Sequence, residues 1–380
     1  HKLQSKVLTI LNSTAEGTVI AECDLTSFDA DGFTLNWTTN NGTAYIIHYI
    51  ALGGVGLLNA KALTWTMPGA TGNNSVTGVG FRPSLVLHLA SSSTGTEIGE
   101  TGAAAIANLG AMDIEGSQWI VSTWARDNQG TSDTARYQRT TRALHAFAGI
   151  GAAATRHEAS YVSMDSDGFT LNFLTAAATQ AAASLCLRIA SDRAKVVSFN
   201  KSTGAAPAIQ AVTGIGFTPT GVMLASFQNI TAATAQDHAR MGIGATDGTA
   251  EEASAFQDTD ALDTTSVDAI ESTTKMFVKV NNNTPAVDAE ADITSLDSDG
   301  WTMSWSTNDA VATEILYWAI GSGVAGGGTP YTYLLNGQRL FKLSATAGSN
   351  PTEVDIVNRG GGAEGGRPDK FETYWYLPWG

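Results

Sequence analysis

The nine residues DSDGFTLNF at positions 165–173 decide the fold, because near-copies read DADGFTLNW at 29–37 and DSDGWTMSW at 297–305. A phrase that recurs at long intervals describes a repeated architecture. After each Asp-Gly pair, large apolar residues alternate with small polar ones, which is the period of a strand with one buried face. Each strand is therefore expected to cover a core from one side. The alternating apolar residues are Phe33, Leu35 and Trp37, then Phe169, Leu171 and Phe173, then Trp301, Met303 and Trp305.

A second phrase recurs as VTGVGFRPSLVLHLAS from Val76 and VTGIGFTPTGVMLASF from Val212. These phrases lie 136 residues apart, as do the first two Asp-Gly pairs, and the third pair follows 132 residues later. The chain is therefore a tandem array of modules of about 130 residues. A module runs from the Gly-Phe-Pro strand through a variable middle to an apolar strand and the Asp-Gly hairpin. Residues 44–54 (AYIIHYIALGG) follow an Asn-Gly turn and are expected to form a further apolar strand.

Four segments follow from this order. Residues 1–55 hold only the second half of a module, whereas 56–191 and 192–322 are complete modules. We expect the residues that complete the first module to lie upstream of this numbering. Residues 323–380 repeat nothing. They combine expected strands around YTYLLNG and RLFKLSA with a Gly-rich stretch and an aromatic end. This composition is typical of a flexible arm whose aromatic end binds other protein surfaces. The expected fold is all-β, with tandem β-sandwich (jelly-roll-like) modules and a C-terminal Gly-rich arm.

Composition narrows the possible partners. Only 15% of the residues are charged, and the formal net charge is -15. Such a chain repels nucleic-acid phosphates and anionic lipid heads, so we expect neither nucleic acid nor membrane as a partner. The two cysteines, Cys23 and Cys186, have no zinc or disulfide-framework spacing and are expected to be small buried hydrophobes.

Each Asp-Gly motif begins with an Asp-x-Asp pair, the spacing found in calcium loops. A calcium loop needs further oxygen ligands and a closing Glu, whereas here a strand begins directly after the Gly. We favour a turn in which backbone N–H groups hydrogen-bond to the first Asp, while the second Asp and the Gly form the turn itself. Calcium is the weaker alternative. Its candidate ligands are Asp29, Asp31, Asp165, Asp167, Asp297 and Asp299.

The sequence shows no catalytic motif. It contains no nucleophile elbow, and its Gly-x-Gly pairs lack the third Gly and the following helix of a dinucleotide site. We interpret these pairs as bends at the start of a strand. The histidines have no metal or catalytic spacing. The prediction is a protein that is not an enzyme and holds no cofactor or resident metal.

Residues that differ between the modules indicate a contact surface. Extra sequence from Thr94 is expected in the first complete module, before the strand WIVSTWARDNQGT, and loops of this kind carry specificity on a rigid scaffold. Aromatic and Arg side chains anchor interfaces most often. The interface candidates are Trp119, Trp124, Arg126 and Tyr137, together with Tyr374, Trp375, Tyr376 and Trp379 in the C-terminal arm.

The phrases TGVGFRPSLVLHLASSS, TGIGFTPTGVMLASF and DADGFTLNWTTNNGTAYIIHYIALGG resemble a repeated module of bacteriophage and prophage virion and tail-associated proteins. The resemblance covers residues 1–322, with YWAIGSG in the last module departing from the YIALGG of the first. It implies a β-sandwich module in a structural or host-facing virion protein, with no catalytic residues to carry over.

The sequence therefore predicts a non-enzymatic structural virion protein, part of a tail, a fibre or a capsid decoration. Its expected partners are copies of itself and other virion proteins, and its expected location is the extracellular particle. The alternative is a carbohydrate-binding adhesin that recognises a host-surface glycan, with exposed rings such as Trp119 or Trp124 stacking on sugars. A glycan hydrolase is a third hypothesis, and it requires two carboxylates about 5 to 10 Å apart.

Overall fold

The computed structural model describes residues 6–12, 18–54, 56–90, 104–126, 129–148, 153–228, 235–262, 267–281, 284, 286–322, 332–336, 339–343 and 352–354. These residues form antiparallel sheets, which confirms the all-β, sandwich-like prediction. The only helix among them is the 3-10 turn Ala190–Asp192, so none there is long and apolar enough to cross a membrane.

The N-terminal segment forms one three-stranded sheet. Its strands are β1 (Leu8–Leu11), β2 (Val19–Asp29) and β3 (Gly32–Thr39), paired in that order. The expected strand at 44–54 is wrong, because residues 44–54 have no strand pairing in the structure. In the complete modules the matching strand lies between two neighbours that satisfy its backbone groups, and the described part of residues 1–54 contains no counterpart of either neighbour.

The first complete module is a sandwich of a larger and a smaller sheet. The larger sheet has the order β9-β8-β7-β6-β13-β4 and the smaller one β10-β11-β12-β5. The strands are β4 (Leu57–Met67), β5 (Gly72–Val76), β6 (Leu85–Ala90), β7 (Ala104–Asp113), β8 (Gln118–Arg126), β9 (Asp133–Arg139), β10 (Leu144–Phe147), β11 (Thr155–Asp165), β12 (Gly168–Ala176) and β13 (Gln180–Ile189).

The second complete module repeats this plan, with sheets in the order β14-β24-β16-β18-β19-β20 and β15-β23-β22-β21. The strands are β14 (Ala194–Asn200), β15 (Ala208–Thr213), β16 (Gly221–Ser226), β17 (Gln236–Asp237), β18 (Ala239–Thr246), β19 (Glu251–Asp258), β20 (Val267–Ser272), β21 (Phe277–Val280), β22 (Val287–Asp297), β23 (Gly300–Thr307) and β24 (Glu314–Ile320). The expectation of extra sequence in the first module is wrong, because the stretch that contains β7 has its counterpart in β18, at the same place in the larger sheet.

Each complete module has its own core between its two sheets. In the first module Phe169, Leu171 and Phe173 of β12 fill this core, and in the second Trp301, Met303 and Trp305 of β23 do so. All six side chains are almost fully buried. The predicted alternation of the repeated strand is therefore confirmed in both complete modules. Cys23 and Cys186 are both buried and free, as expected.

A third core joins the two modules through the outer faces of their larger sheets. Trp119, Leu187 and Val121 of the first module meet Trp318 and Phe227 of the second in one buried cluster. The two modules therefore stack as four layers of sheet, small, large, large and small. The short strand β17 also leaves its own module and extends the first module's larger sheet by pairing with β9.

The chain consists of two compact units, which meet in the sequence between Val324 and Ala325. The second unit contains an antiparallel sheet of β25 (Thr332–Asn336), β26 (Arg339–Leu343) and β27 (Thr352–Val354), in that order. Strands were expected at the first two of these places, and both are present.

Candidate functional site

The second Asp of the repeated motif holds the two halves of a module together. In the first complete module the Asp167 carboxylate accepts hydrogen bonds from the backbone N–H groups of Gly78, at 3.0 Å, and Gly80, at 2.6 Å. These bonds hold the pKa of Asp167 below its ordinary value. The second module repeats the arrangement with Asp299, Gly214 and Gly216, at 3.0 and 2.6 Å. We call this pairing of Asp with Gly-x-Gly the clamp.

The clamp requires glycine on both sides. Gly78 and Gly80 have φ values of +83° and +86°, a region that side chains with a Cβ rarely adopt, and this bends the loop so that both N–H groups face the carboxylate. Across the loop, a Cβ placed on Gly168 would lie 1.9 Å from the carbonyl oxygen of Val76. The Gly of the Asp-Gly pair therefore allows β5 to lie directly against the hairpin turn.

The first Asp of the motif has a different role from the one expected. Asp165 accepts hydrogen bonds from the hydroxyls of Ser163 and Thr170, both at 2.7 Å, rather than from backbone N–H groups. The same side-chain bonds are made by Asp29 with Ser27 and Thr34, and by Asp297 with Ser295 and Thr302. In each case the Ser lies on the same strand as the Asp and the Thr on the neighbouring strand, so this Asp links the two strands of the hairpin through its Thr.

Most of the candidate calcium ligands already accept hydrogen bonds from protein donors. The donors above already occupy oxygens of Asp29, Asp165, Asp167, Asp297 and Asp299. Among the described residues, no group of three or more His, Cys, Asp or Glu side chains is placed to hold a metal ion. In both complete modules the two Asp side chains of the motif therefore act in hydrogen bonding within the fold.

The N-terminal half-module, residues 6–54, carries the same hairpin without its partner strand. Asp31 matches Asp167, yet none of the described residues donates a hydrogen bond to its carboxylate. A Cβ on Gly32 would have no atom within 4 Å. Phe28 is 83% exposed, whereas its counterparts Met164 and Leu296 are buried and half-buried. Trp37 is 38% exposed, whereas its counterparts in both complete modules are buried. This surface, formed by β2, β3 and the turn between them, is the candidate functional site, and we call it the open hairpin.

The predicted interface residues lie elsewhere. Trp119 and Trp124 are fully buried, which corrects the expectation that they form an exposed contact surface. Trp119 packs between the modules and donates from Nε1 to the carbonyl oxygen of Tyr317 at 2.7 Å. Tyr137 is also buried, and Arg126 lies 3.5 Å from Asp133 at the module surface. The arm residues Tyr374, Trp375, Tyr376 and Trp379 lie outside the described residues.

A cleft of about 220 Å³ lies between β7, β8 and the second module's larger sheet. Its described lining is apolar apart from Thr123 and Asp258, and burial, followed by the nearby charge of Asp260, raises the pKa of Asp258 to about 6. A hydrolytic site for glycans needs two carboxylates facing one bond. Asp258 is the only carboxylate among the described residues that line this cleft.

Three of the described histidines, His48, His88 and His145, are placed for packing or for contact with a carboxylate. His88 is buried, and burial lowers its pKa to about 3, so its ring is neutral at physiological pH. Burial likewise lowers the pKa of His145 to about 3. The ring of His145 stacks on Tyr137 with a centroid distance of 3.9 Å. His48 lies outside the strands, with its Nδ1 2.6 Å from a carboxylate oxygen of Glu252.

The sequence contained a signal for the clamp that the interpretation above missed. The Gly-x-Gly and Asp-Gly phrases were interpreted separately, as a bend and as a turn. Both phrases recur with the same 136-residue offset, and a shared offset is what two segments in contact within one module produce. No protein-family profile, curated protein or solved structure matches this chain.

Proposed function

We propose that this protein is a non-enzymatic structural component of a bacteriophage virion, in a tail, a fibre or a capsid decoration. It assembles there with copies of itself and with other virion proteins. The single observation that carries this proposal is the junction between the complete modules, which is built as a hydrophobic core. The resemblance of residues 1–322 to a phage module supplies the virion context.

The junction makes the two modules one stiff body. Trp119 and Trp318 are almost completely buried there, and each fully buried aromatic ring contributes a few kcal/mol of transfer free energy. The pairing of β17 with β9 adds backbone hydrogen bonds across the same junction. Domains joined by small polar interfaces rotate, whereas a large apolar interface holds them fixed. Such stiffness suits a part of a particle that carries mechanical load.

The repeated residues also favour a structural role. In each complete module both Asp side chains of the motif bond to groups of the same module. A catalytic group instead needs a perturbed partner and access to substrate. The part of the sequence that repeats most closely therefore supports the fold.

Native mass tests the assembly part of the proposal. The full chain, measured by light scattering at physiological salt, is expected to form a defined oligomer. A chain that ends after Ser322 keeps the compact first unit and is expected to be a monomer, because the aromatic arm is the proposed assembly element. Two monomers of equal stability, checked over a tenfold range of concentration, would remove self-assembly from the proposal.

Location tests the virion part. Antibodies raised against residues 56–322 should label purified phage particles from a culture of the source bacterium, seen by immunogold electron microscopy. The matched control is the same serum absorbed with the purified protein. Absence of label on particles, with the protein present in the cell lysate, would contradict the virion role.

A further inference from the structure

We propose that the open hairpin binds a polypeptide segment that consists, in order, of a strand, the sequence Thr-Gly-x-Gly-Phe, a Pro and an apolar strand. The occupant is a polypeptide segment distinct from the two such segments in residues 76–91 and 212–227. This inference does not depend on the virion role, since it rests on a comparison of the three hairpins within one chain.

The three hairpins have the same shape. The pairing of β2 with β3 shifts register between Leu25 and Ser27, and the pairing of β11 with β12 shifts between Tyr161 and Ser163. The pairing of β22 with β23 shifts at the matching place. Gly32, Gly168 and Gly300 have φ values of +150°, +151° and +151°. The open hairpin therefore has its bound geometry already formed, which lowers the cost of binding.

Complete modules show what lies against this surface. In the first, β12 pairs with β5 on the side away from β11, with Val76 opposite Phe169 and Gly72 opposite Phe173. The second module pairs β23 with β15 in the same way. In the N-terminal sheet, β3 pairs only with β2 among the described residues. No described residue pairs with the other edge of β3, and an edge of this kind is where an added strand binds.

The clamp supplies specificity. Asp31 occupies the position of Asp167 and Asp299, each of which accepts two backbone N–H bonds from a Gly-x-Gly loop. A loop with any other residue at either glycine position has a strained backbone, because both glycines of the loop have positive φ. Gly32 leaves open the space into which a carbonyl oxygen projects in the complete modules.

The apolar face gives the binding energy. Phe169, Leu171 and Phe173 are 0%, 0% and 1% exposed, whereas their counterparts Phe33 and Leu35 are half-buried and Trp37 is 38% exposed. Phe28 is 83% exposed, although its counterpart Met164 is 5% exposed. The occupant must therefore present apolar side chains to this face, as the Phe81 and Val86 region does in the first module.

A second copy of this chain is a poor occupant. Its own Thr-Gly-x-Gly-Phe segments are built into complete cores, with Val86 and Val222 almost fully buried. Donating either segment would open one core to fill another. We therefore expect the occupant to be a segment that is not already buried in a core of this chain.

The test is binding of a peptide to the full 380-residue chain. The probe is a fluorescein-labelled peptide with the sequence of residues 70–90, and its matched control carries Ala in place of both glycines of the Gly-x-Gly loop. Fluorescence anisotropy is expected to show saturable one-to-one binding of the probe and at least tenfold weaker binding of the control. Hydrogen exchange is expected to show protection of β3 amides on binding, which places the peptide on the open hairpin.

Two variants locate the clamp. Asp31→Asn and Gly32→Ala are each expected to weaken binding about tenfold or more, since a hydrogen bond to a charged group and a steric fit are each worth at least that factor. Glu115→Gln, a remote carboxylate that is well exposed, is the control and is expected to leave affinity unchanged. Circular dichroism checks that the variants remain folded.

Three outcomes would overturn the proposal. They are no binding of the probe, equal binding of the probe and its Gly-to-Ala control, or binding that both hairpin variants leave unchanged. A dimer of the chain that depends on Asp31 and Gly32 and excludes the probe would instead identify a second copy as the occupant. None of these results depends on the light-scattering test of the arm, so the two proposals fail separately.

Discussion

Gly32, Gly168 and Gly300 hold the same place in three copies of one motif, which gives a matched set of substitutions to alanine. All three have nearly the same φ, so a side chain at any of them strains the backbone by about 1–3 kcal/mol. They differ in what a Cβ would meet. On Gly300 it would lie 1.8 Å from the carbonyl oxygen of Val212, and on Gly32 it would meet nothing within 4 Å.

The clash sets the magnitude of the difference. Contacts of a Cβ at less than 3.0 Å are essentially never found, so β15 must move by more than an ångström in the Gly300→Ala protein. Forcing extra volume into a packed site costs about 1–3 kcal/mol beyond the backbone strain. We therefore expect Gly300→Ala and Gly168→Ala to destabilise their modules by about 1–3 kcal/mol more than Gly32→Ala destabilises the N-terminal hairpin.

Native-state hydrogen exchange is the suitable assay, because a chain with several cores does not unfold in one step and a single melting temperature would mix them. The opening free energies of amides in β23, β12 and β3 report on the three sites separately. Equal losses at all three sites would refute the reasoning, since backbone strain alone would then explain the effect. With the peptide bound, Gly32→Ala should become as costly as the other two.

Three further predictions concern the cores. Trp318→Ala should lower the opening free energy of β24 amides, measured by native-state hydrogen exchange, by about 3–5 kcal/mol, whereas Leu89→Ala, at a site that is 51% exposed, should have a much smaller effect. His88 has a folded-state pKa lowered to about 3 by burial, so its stabilising contribution is complete above about pH 6.5 and is lost as the pH falls toward 3. His88→Leu, which copies Leu224 of the second module, should reduce the stability lost between pH 7.5 and 5 by about 2 kcal/mol, and an unchanged loss would contradict a buried neutral ring. Burial raises the pKa of the Cys186 thiol to about 12, so a thiol reagent should label it only on unfolding, and prompt labelling of the native protein would refute this burial.

Periodicity determined the repeated strands. The alternation of Phe169, Leu171 and Phe173 requires one buried face, and the structure buries that face in both complete modules. The Asp-Gly hairpins, and the apolar strand that the module order places before each of them, also followed from local sequence, because a hairpin is specified by its own turn and by its neighbouring strand. Local patterns therefore predicted the fold class and most of the repeated elements.

Local patterns failed where a residue's environment comes from distant strands. Residues 44–54 have the sequence of a strand, yet they do not pair, since a strand forms only where neighbours satisfy its backbone groups. Trp119 and Trp124 have the composition of interface anchors, but the stacking of two modules and the folding of β8 against β9 bury them.

The sequence by itself determined that this protein consists of repeated β-sandwich modules, because turn chemistry and side-chain alternation act over a few residues. Only the tertiary structure decided that Asp167 and Asp299 bind loops more than 80 residues away, and that Asp31 has no such loop among the described residues. Closely similar nine-residue motifs thus have different roles. The physical reason is that the burial and the hydrogen-bond partners of a motif depend on which distant strands pack against it. A motif of nine residues does not specify those strands.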